Sequence, residues 1–211
     1  MWLLGDVSPA TFIPLAEMGG FVQDSDLSVR LARWRRAGLD LQLHVNVSEQ
    51  SVRRAGFAER LVVETRARDI APDRLVVEMT ESVFVGVDEG ASDGLTALGD
   101  AGFGLAIDDY GTGYASLNYN RRLSFTMIKL ASEFATGASL NDRNREIVRS
   151  TIALGRNLGM VVVVEGVEEE QERALLGTLN ADLLQGFLIA RPMPGDEVES
   201  WCRAHGGLAS G

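Results

Sequence analysis

The sequence predicts an α/β fold built as a parallel barrel, and three features of the chain lead to this prediction. Short apolar runs recur along it, a longer amphipathic stretch follows each run, and each run closes on a polar side chain. The runs are about four to six residues long and rich in β-branched side chains, which is typical of buried parallel strands. Strands and helices that alternate at this spacing indicate right-handed βαβ units around one sheet.

Six strands are predicted from these runs: Leu41–Asn46, Leu75–Glu78, Phe103–Asp108, Phe125–Lys129, Met160–Glu165 and Leu183–Gln185. A closed barrel of this type needs eight strands and about 250 residues, and the chain has 211 residues. Near its start, Ser8-Pro9 reads as a helix N-cap followed by proline at the first helical position. We therefore expect a modified β/α barrel that lacks about two N-terminal strands, with an open doubly wound sheet as the alternative.

The amphipathic stretches predict helices at roughly 24–37, 51–69, 88–101, 141–158, 167–179 and 194–204. Gly38, Gly102 and Gly159 stand where a C-terminal glycine ends a helix. No linker or low-complexity segment divides the chain, so we expect one domain over residues 1–205 and a flexible tail over residues 206–211.

Composition narrows the classes of function. A formal net charge of −10 argues against binding to DNA or RNA, because such binding depends on accumulated Lys and Arg. A small anionic ligand fits if metal ions neutralise the carboxylates around it. The single cysteine, Cys202, rules out an internal disulfide. The first residues lack the basic flank and the apolar length typical of a signal peptide, and the sequence has no apolar run of about 18 residues, so we expect a cytoplasmic domain without a membrane segment.

A polar residue at the end of each predicted strand is the most informative pattern. These residues are Asn46, Glu78, Asp108 with Asp109, Lys129, Glu165 and Gln185. Strand ends of a parallel barrel converge on the face that holds the active site. One acid at such a position has a plain alternative role as a cap of the next helix or turn. A whole series is harder to dismiss, because a buried acid is costly unless it is paired or coordinated. Oxygen ligands favour Mg²⁺ or Mn²⁺ over zinc.

Individual residues suggest a chemistry. The adjacent carboxylates of Asp108 and Asp109 repel one another, which suggests cations between or beside them. One aspartate shared by two metals is an arrangement used for phosphodiester cleavage. Lys129 is expected to orient the attacking water and to offset charge on phosphorus, with a structural ion pair as the alternative. Glu81 either begins the next helix or holds a loop by accepting backbone hydrogen bonds. His44 is interpreted as incidental, and so is His205.

In their order along the chain, these residues resemble the EAL domain family, the bacterial phosphodiesterases of cyclic di-GMP. The matching stretches are Val7–Glu17, Val45–Ser48, Val77–Ser82, Asp108–Tyr114, Ile128–Lys129, Val164–Glu168 and Gln185–Phe187. The resemblance implies a modified β/α barrel that hydrolyses one phosphodiester of cyclic di-GMP, giving linear pGpG, with two Mg²⁺ or Mn²⁺ ions. It also allows a homodimer, and a parent protein with an upstream sensory or GGDEF domain.

The resemblance also implies roles for single residues. The first metal would be bound by the side chains of Asn46, Glu78, Asp108 and Glu165. Asp108 would be shared with the second metal, which Asp109 also binds. Lys129 would contact the catalytic water, Glu81 would steady the loop after Asp109, and Gln185 would lie near the metal-bound water network or the ligand.

Three departures from the family pattern leave three interpretations open. The Glu-Ala-Leu motif, whose glutamate is a metal ligand, is absent. The family's Lys-Ile-Asp reads Lys129-Leu130-Ala131, and Ala115 replaces a usual serine. The chain is then a fragment of an active phosphodiesterase, a degenerate module that binds cyclic di-GMP or a protein partner without hydrolysis, or a truncated product that folds poorly. Retention of the strand-end ligands favours phosphodiesterase ancestry, and leaves open whether these 211 residues are active alone.

Overall fold

The computed structural model describes residues 13–15, 25–81, 89–113 and 123–205. Seven parallel strands lie in this part of the chain, side by side in sequence order. They are β1 (Ile13–Leu15), β2 (Leu43–Asn46), β3 (Leu75–Thr80), β4 (Gly104–Tyr110), β5 (Met127–Leu130), β6 (Val161–Val164) and β7 (Leu183–Leu184). Every neighbour follows its predecessor along the chain, as in a β/α barrel. A doubly wound sheet would reverse its strand order at a switch point, so that alternative is wrong.

Helices connect the strands, and the predicted alternation is confirmed. They are α1 (Ser25–Arg36), α2 (Glu49–Val52), α3 (Phe57–Ala67), α4 (Glu89–Asp100), α5 (Ser132–Ala135), α6 (Asp142–Leu158), α7 (Glu170–Thr178) and α8 (Val198–Ala204), with a 3₁₀ turn at Pro72–Arg74. The single helix predicted over residues 51–69 is wrong, because the chain breaks between α2 and α3, where Gly56 has a φ of +74°. No helix in the described ranges combines the length and the apolar character needed to cross a membrane.

The N-terminal end of the sheet differs from the prediction. Ile13–Leu15 is extended and pairs in parallel with β2, whereas the sequence predicts the start of a helix here. Pro14 is compatible with this position because β1 is an edge strand of the described sheet, and an edge strand tolerates a missing backbone donor. Ser8 and Pro9 lie outside the described residues, as does the predicted tail. The described sheet has β1 and β7 as its edges and forms a TIM-like half-barrel with helices around it.

The inner face of the half-barrel has an apolar layer with a polar layer above it. Four of the strands, β3 to β6, contribute the packed apolar cluster of Val76, Ala106, Met127 and Val163, and Leu183 of β7 packs against it. Side chains of a strand alternate between its faces, so the residue two positions later returns to the same side. Those residues are Glu78, Asp108, Lys129, Glu165 and Gln185. The alternation of the strands therefore places a row of polar side chains directly above this apolar cluster, which we call the apolar floor.

The opposite face of the sheet packs against the helices. Leu43, Val45, Val77 and Leu105 lie in the main buried core, together with side chains from α1, α3 and α4. At the C-terminal side, Leu130 and Val164 pack in a second cluster with residues of α6 and α7. Gly159 ends α6 in the left-handed conformation, with a φ of +70°, as its position predicts. These two cores fix the strands and thereby the side chains that rise from their inner face.

Candidate functional site

Lys129 stands at the centre of the polar layer. Its side chain is 3% exposed, and its ammonium group contacts carboxylates from three other strand ends. The distances from Nζ are 2.9 Å to Glu78 Oε2, 2.8 Å to Asp108 Oδ1 and 2.7 Å to Glu165 Oε1. The structural ion pair that the sequence allows for Lys129 is therefore present, and it involves three acids. The strand ends do converge as the parallel sheet requires.

Asp108 and Asp109 are neighbours in the chain, yet both reach this face. In a regular strand two successive side chains point to opposite sides. The pairing of β4 with β5 shifts register between Ile107 and Tyr110, and Asp109 has a left-handed φ of +53°. Such an irregularity turns the chain locally and re-aims a side chain. Asp109 is exposed at the mouth of the site, whereas Asp108 is only 9% exposed.

Three acids of this face are close enough to hold a metal ion. One ligand oxygen each from Asp108, Asp109 and Glu165 lies within 4.8 Å of the other two. Glu78 is a fourth acid of the site, because it contacts the same Lys129 ammonium as Asp108 and Glu165. When ionised, the four carboxylates and the single ammonium carry a formal charge of −3. An arrangement with this charge and with hard oxygen donors suits divalent cations such as Mg²⁺ or Mn²⁺.

Burial and the Lys129 ammonium shift the pKa values of the carboxylates in opposite directions. Burial raises the pKa of Asp108 and that of Glu165, and the nearby Lys129 ammonium offsets only part of this effect. Burial acts in the same direction on Glu78, but the hydrogen bond with His44 and the charge of Lys129 outweigh it and lower the pKa of Glu78. For Lys129, burial is outweighed by the surrounding carboxylates, which raise its pKa. Lys129 therefore stays protonated at neutral pH.

Glu81 holds the loop that follows Asp109. Its Oε1 accepts the backbone N–H of Gly111 at 3.0 Å, and its Oε2 accepts that of Gly113 at 2.9 Å. A Cβ added at Gly113 would lie 2.7 Å from Glu81 Oε2, so this approach needs a residue without a side chain. Glu81 is also helical, directly after β3, so the structure is consistent with both roles that the sequence allows for it.

Asn46 and Gln185 lie at the two flanks of the polar row. Asn46 is the partner of Glu78 in the pairing of β2 with β3. Gln185 follows β7, and its backbone N–H donates to the carbonyl of Val164, the residue before Glu165. The Oε1 atom of Gln185 is buried and has no hydrogen-bond partner among the described residues. An amide oxygen in this condition is free to accept a hydrogen bond from a bound molecule.

His44 is the residue whose part in the site the sequence interpretation missed. It was expected to be incidental, but it is 2% exposed and its Nδ1 lies 2.7 Å from Glu78 Oε1. Burial lowers the pKa of His44, and the hydrogen bond to Glu78 opposes that effect. One signal in the sequence could have drawn attention to it. His44 stands two residues before Asn46, at the level where the other inner strands carry apolar side chains.

The fold and the site can be compared with known proteins. Residues 3–192 match the EAL domain. Cyclic di-GMP phosphodiesterase PA2567 of Pseudomonas aeruginosa is 35% identical over 206 residues, or 95% of this chain and 35% of that protein. The solved complex of PaMucR phosphodiesterase with c-di-GMP is 32% identical, with a TM-score of 0.76 over 82% of this chain and 71% of that one. Klebsiella pneumoniae BlrP1, solved with manganese and cy-diGMP, is 28% identical, with a TM-score of 0.71 over 78% of this chain and 42% of that one.

This chain covers only part of each curated relative, but the EAL domain match covers most of this chain. The chain spans about a third of the length of the curated relatives it matches, with shares of 35%, 28% and 29% in three of them. The domain match, in contrast, runs over most of the chain and agrees with the strand order seen here. The chain therefore belongs to the EAL domain family.

Proposed function

We propose that this chain is the phosphodiesterase domain of a bacterial signalling protein, which hydrolyses cyclic di-GMP to linear pGpG with two divalent ions. The observation that carries the proposal is the group of three carboxylates, Asp108, Asp109 and Glu165, beside the buried ammonium of Lys129. The relative PA2567 is named as a phosphodiesterase of the same dinucleotide, which supports this choice of substrate.

The residues fit two metal ions. Their donors are oxygens, as Mg²⁺ and Mn²⁺ prefer, and burial raises the pKa values of Asp108 and Glu165, so a bound cation would stabilise their ionised forms. Asn46, Glu78, Asp108 and Glu165 would hold the first ion, and Asp108 and Asp109 the second. When bound, such a pair of ions supplies a water nucleophile at neutral pH and stabilises the attacking and leaving oxygens of the displacement.

Side chains of this chain would perform the other tasks. As an ammonium group beside the three carboxylates, Lys129 can donate a hydrogen bond to the attacking water and offset negative charge on phosphorus. Glu81 fixes the loop after Asp109 and so keeps that carboxylate over the site. The unsatisfied amide oxygen of Gln185 can accept a hydrogen bond from the dinucleotide or from ordered water.

A second function is favoured by one specific observation. Ala131 stands where the family pattern has an aspartate after the lysine, and it is 3% exposed, so the acid of the family pattern is missing at this buried strand end. The alternative is a degenerate module that binds cyclic di-GMP or a protein partner and leaves the phosphodiester intact. In either case we propose a cytoplasmic domain that acts as a homodimer or within a larger protein with sensory or GGDEF domains.

The decisive experiment incubates the purified chain with Mn²⁺ and cyclic di-GMP and follows pGpG by chromatography, with binding measured in parallel by calorimetry. Hydrolysis is expected in the wild-type protein and its loss in Asp108→Ala, because that change removes the shared ligand. Binding without product would refute the phosphodiesterase and leave the binding module. Activity that survives Asp108→Ala would refute the two-metal assignment, and the absence of both binding and product would refute both functions.

A further inference from the structure

The inner face of β2 breaks the pattern of the apolar floor. His44 pairs with Val76 in the register of β2 and β3, so it lies at the level of the apolar cluster and one step below the polar row. Burying an imidazole at this level costs free energy unless both its nitrogens are hydrogen-bonded. An apolar side chain of similar size would avoid the cost of burying polar nitrogens. The presence of a histidine here therefore calls for a role that an apolar side chain cannot perform.

The contacts of His44 supply such a role. Its Nδ1 lies 2.7 Å from Glu78 Oε1, and its Nε2 lies 3.2 Å from Gln42 Oε1. The orientation of the Gln42 amide is fixed from the other side, because its Nε2 donates to the backbone carbonyl of Asp73 at 2.8 Å. The ring is thus held between an anchored amide and the carboxylate of Glu78.

This arrangement gives the two carboxylate oxygens of Glu78 different partners. Oε1 accepts from His44, while Oε2 lies 2.9 Å from Lys129 Nζ, on the side where Asp108 and Glu165 also meet that ammonium. A carboxylate held at one oxygen has lost its freedom to rotate about its terminal bond. Its second oxygen is then presented to the site in one orientation.

We propose that His44 is a positioning residue that holds Glu78 through Oε1, so that Glu78 offers Oε2 alone to a divalent cation. This inference rests on the proposed function, since it takes Glu78 as a ligand. Hydrogen-bonded partners of metal ligands orient them, and their loss commonly costs about 10- to 100-fold in metal affinity. His44 acts on the ion only through Glu78 and is not itself a ligand.

Three substitutions separate the two polar contacts of the ring, of which the contact from Nδ1 to Glu78 is the one that the inference needs. In His44→Asn the amide nitrogen replaces Nδ1 and can still donate to Glu78. In His44→Gln the amide group replaces Nε2 and can reach only Gln42, and His44→Leu keeps neither nitrogen. The affinity for Mn²⁺ is measured without dinucleotide, from the electron paramagnetic resonance signal of the free ion. We expect His44→Asn to bind within a few-fold of the wild type, and the Gln and Leu variants to bind about 10- to 100-fold more weakly.

A matched control tests for a general loss of packing. Val45→Ala alters the next residue of β2, whose side chain lies in the core on the opposite face, so it should lower the melting temperature without changing Mn²⁺ affinity. Wild-type affinity in His44→Leu or His44→Gln, or equal weakening in His44→Asn and His44→Leu, would overturn the inference. If the Leu variant does not fold, the comparison of Asn with Gln decides.

The same titration distinguishes the inference from the proposed function. Wild-type protein that binds Mn²⁺ but makes no pGpG refutes the hydrolysis alone, and the ranking of the His44 variants still decides the positioning role. Equal affinities in all variants of an active wild-type domain refute the positioning role alone. Wild-type protein that binds no Mn²⁺ overturns both.

Discussion

Removing the charge of Lys129 should destabilise the metal-free protein and make its stability depend on pH. Methionine has a similar length, so Lys129→Met mainly deletes an ammonium group that is 3% exposed and lies 2.7 to 2.9 Å from three carboxylates. Breaking a buried ion pair from one side typically costs about 3–5 kcal/mol, because the remaining charge is left uncompensated. For a domain of this size we expect a fall in melting temperature of about 6–20 °C.

The direction of the pH dependence follows from Asp108 and Glu165. Burial already raises their pKa values, and without the opposing Lys129 charge these values rise further. A carboxyl group whose folded pKa exceeds its unfolded pKa stabilises the fold at low pH and loses that contribution as pH rises through the folded value. The deficit of Lys129→Met should therefore be smallest near pH 5 and grow towards pH 8.

Urea unfolding in the presence of EDTA, at several values between pH 5 and pH 8, measures this deficit. Replacing EDTA by Mn²⁺ should restore part of the lost free energy of unfolding, since a bound cation replaces the missing positive charge. Arg149→Met is a suitable control, because Arg149 forms an exposed ion pair with Glu146 at 3.1 Å, and such pairs contribute at most about 1 kcal/mol. A deficit below about 1 kcal/mol in Lys129→Met, or one that does not change with pH, would refute the reasoning.

Three further changes test other parts of the structure. Glu172→Gln should cost about 1–3 kcal/mol at pH 7, because the carboxylate accepts the backbone N–H groups of Gly137, Glu168 and Glu169. Burial opposes the shift, but these bonds lower the pKa of Glu172, so the deficit in urea unfolding should stay level from pH 7 to about pH 5 and shrink only as pH falls below the ordinary glutamate pKa of 4.5. Gly166→Ala should be more destabilising than Gly38→Ala in thermal unfolding, since both positions have positive φ but only the first places a Cβ 2.4 Å from that of Ser132. Glu81→Gln should slow pGpG formation, because it removes one of the two hydrogen bonds that hold the loop after Asp109.

Each of these changes has an outcome that contradicts it. A Glu172→Gln deficit that grows on acidification would mean that the ionised carboxylate is not what stabilises that region. Equal losses at Gly166 and Gly38 would attribute the effect to backbone conformation alone. Full activity of Glu81→Gln would show that the loop keeps its position without both bonds.

The strand ends were predictable because a simple rule connects sequence and space. A parallel barrel brings the carboxyl ends of its strands together, so Glu78, Asp108 and Glu165 could be expected near one another despite their distance in the chain. The bounds of the six predicted strands differ from the observed ones by at most two residues, since the apolar runs are long enough to define them. That Glu78, Asp108 and Glu165 supply oxygen ligands follows from their residue type alone.

Other parts of the site depend on contacts that the local sequence does not encode. The hydrogen bond from His44 to Glu78 joins residues 34 positions apart, and a buried histidine reads the same whether or not it has a partner. The extended conformation of Ile13–Leu15 depends on pairing with β2 across the sheet, which overrides the helical signal that precedes it. The register shift that turns Asp109 inward is likewise a property of two paired strands.

The register shift at the end of β4 affects how many metal-binding carboxylates one strand can supply. A regular strand can present only every second residue to one face, so a row of strands supplies one donor per strand at each level. At its irregular end β4 supplies two, from residues joined by a single peptide bond. The spacing of these two carboxylates is thus limited by covalent geometry, while every other pair depends on how the strands pack. A second ion placed between them would be tied to β4 and would be less sensitive to small movements of its neighbours.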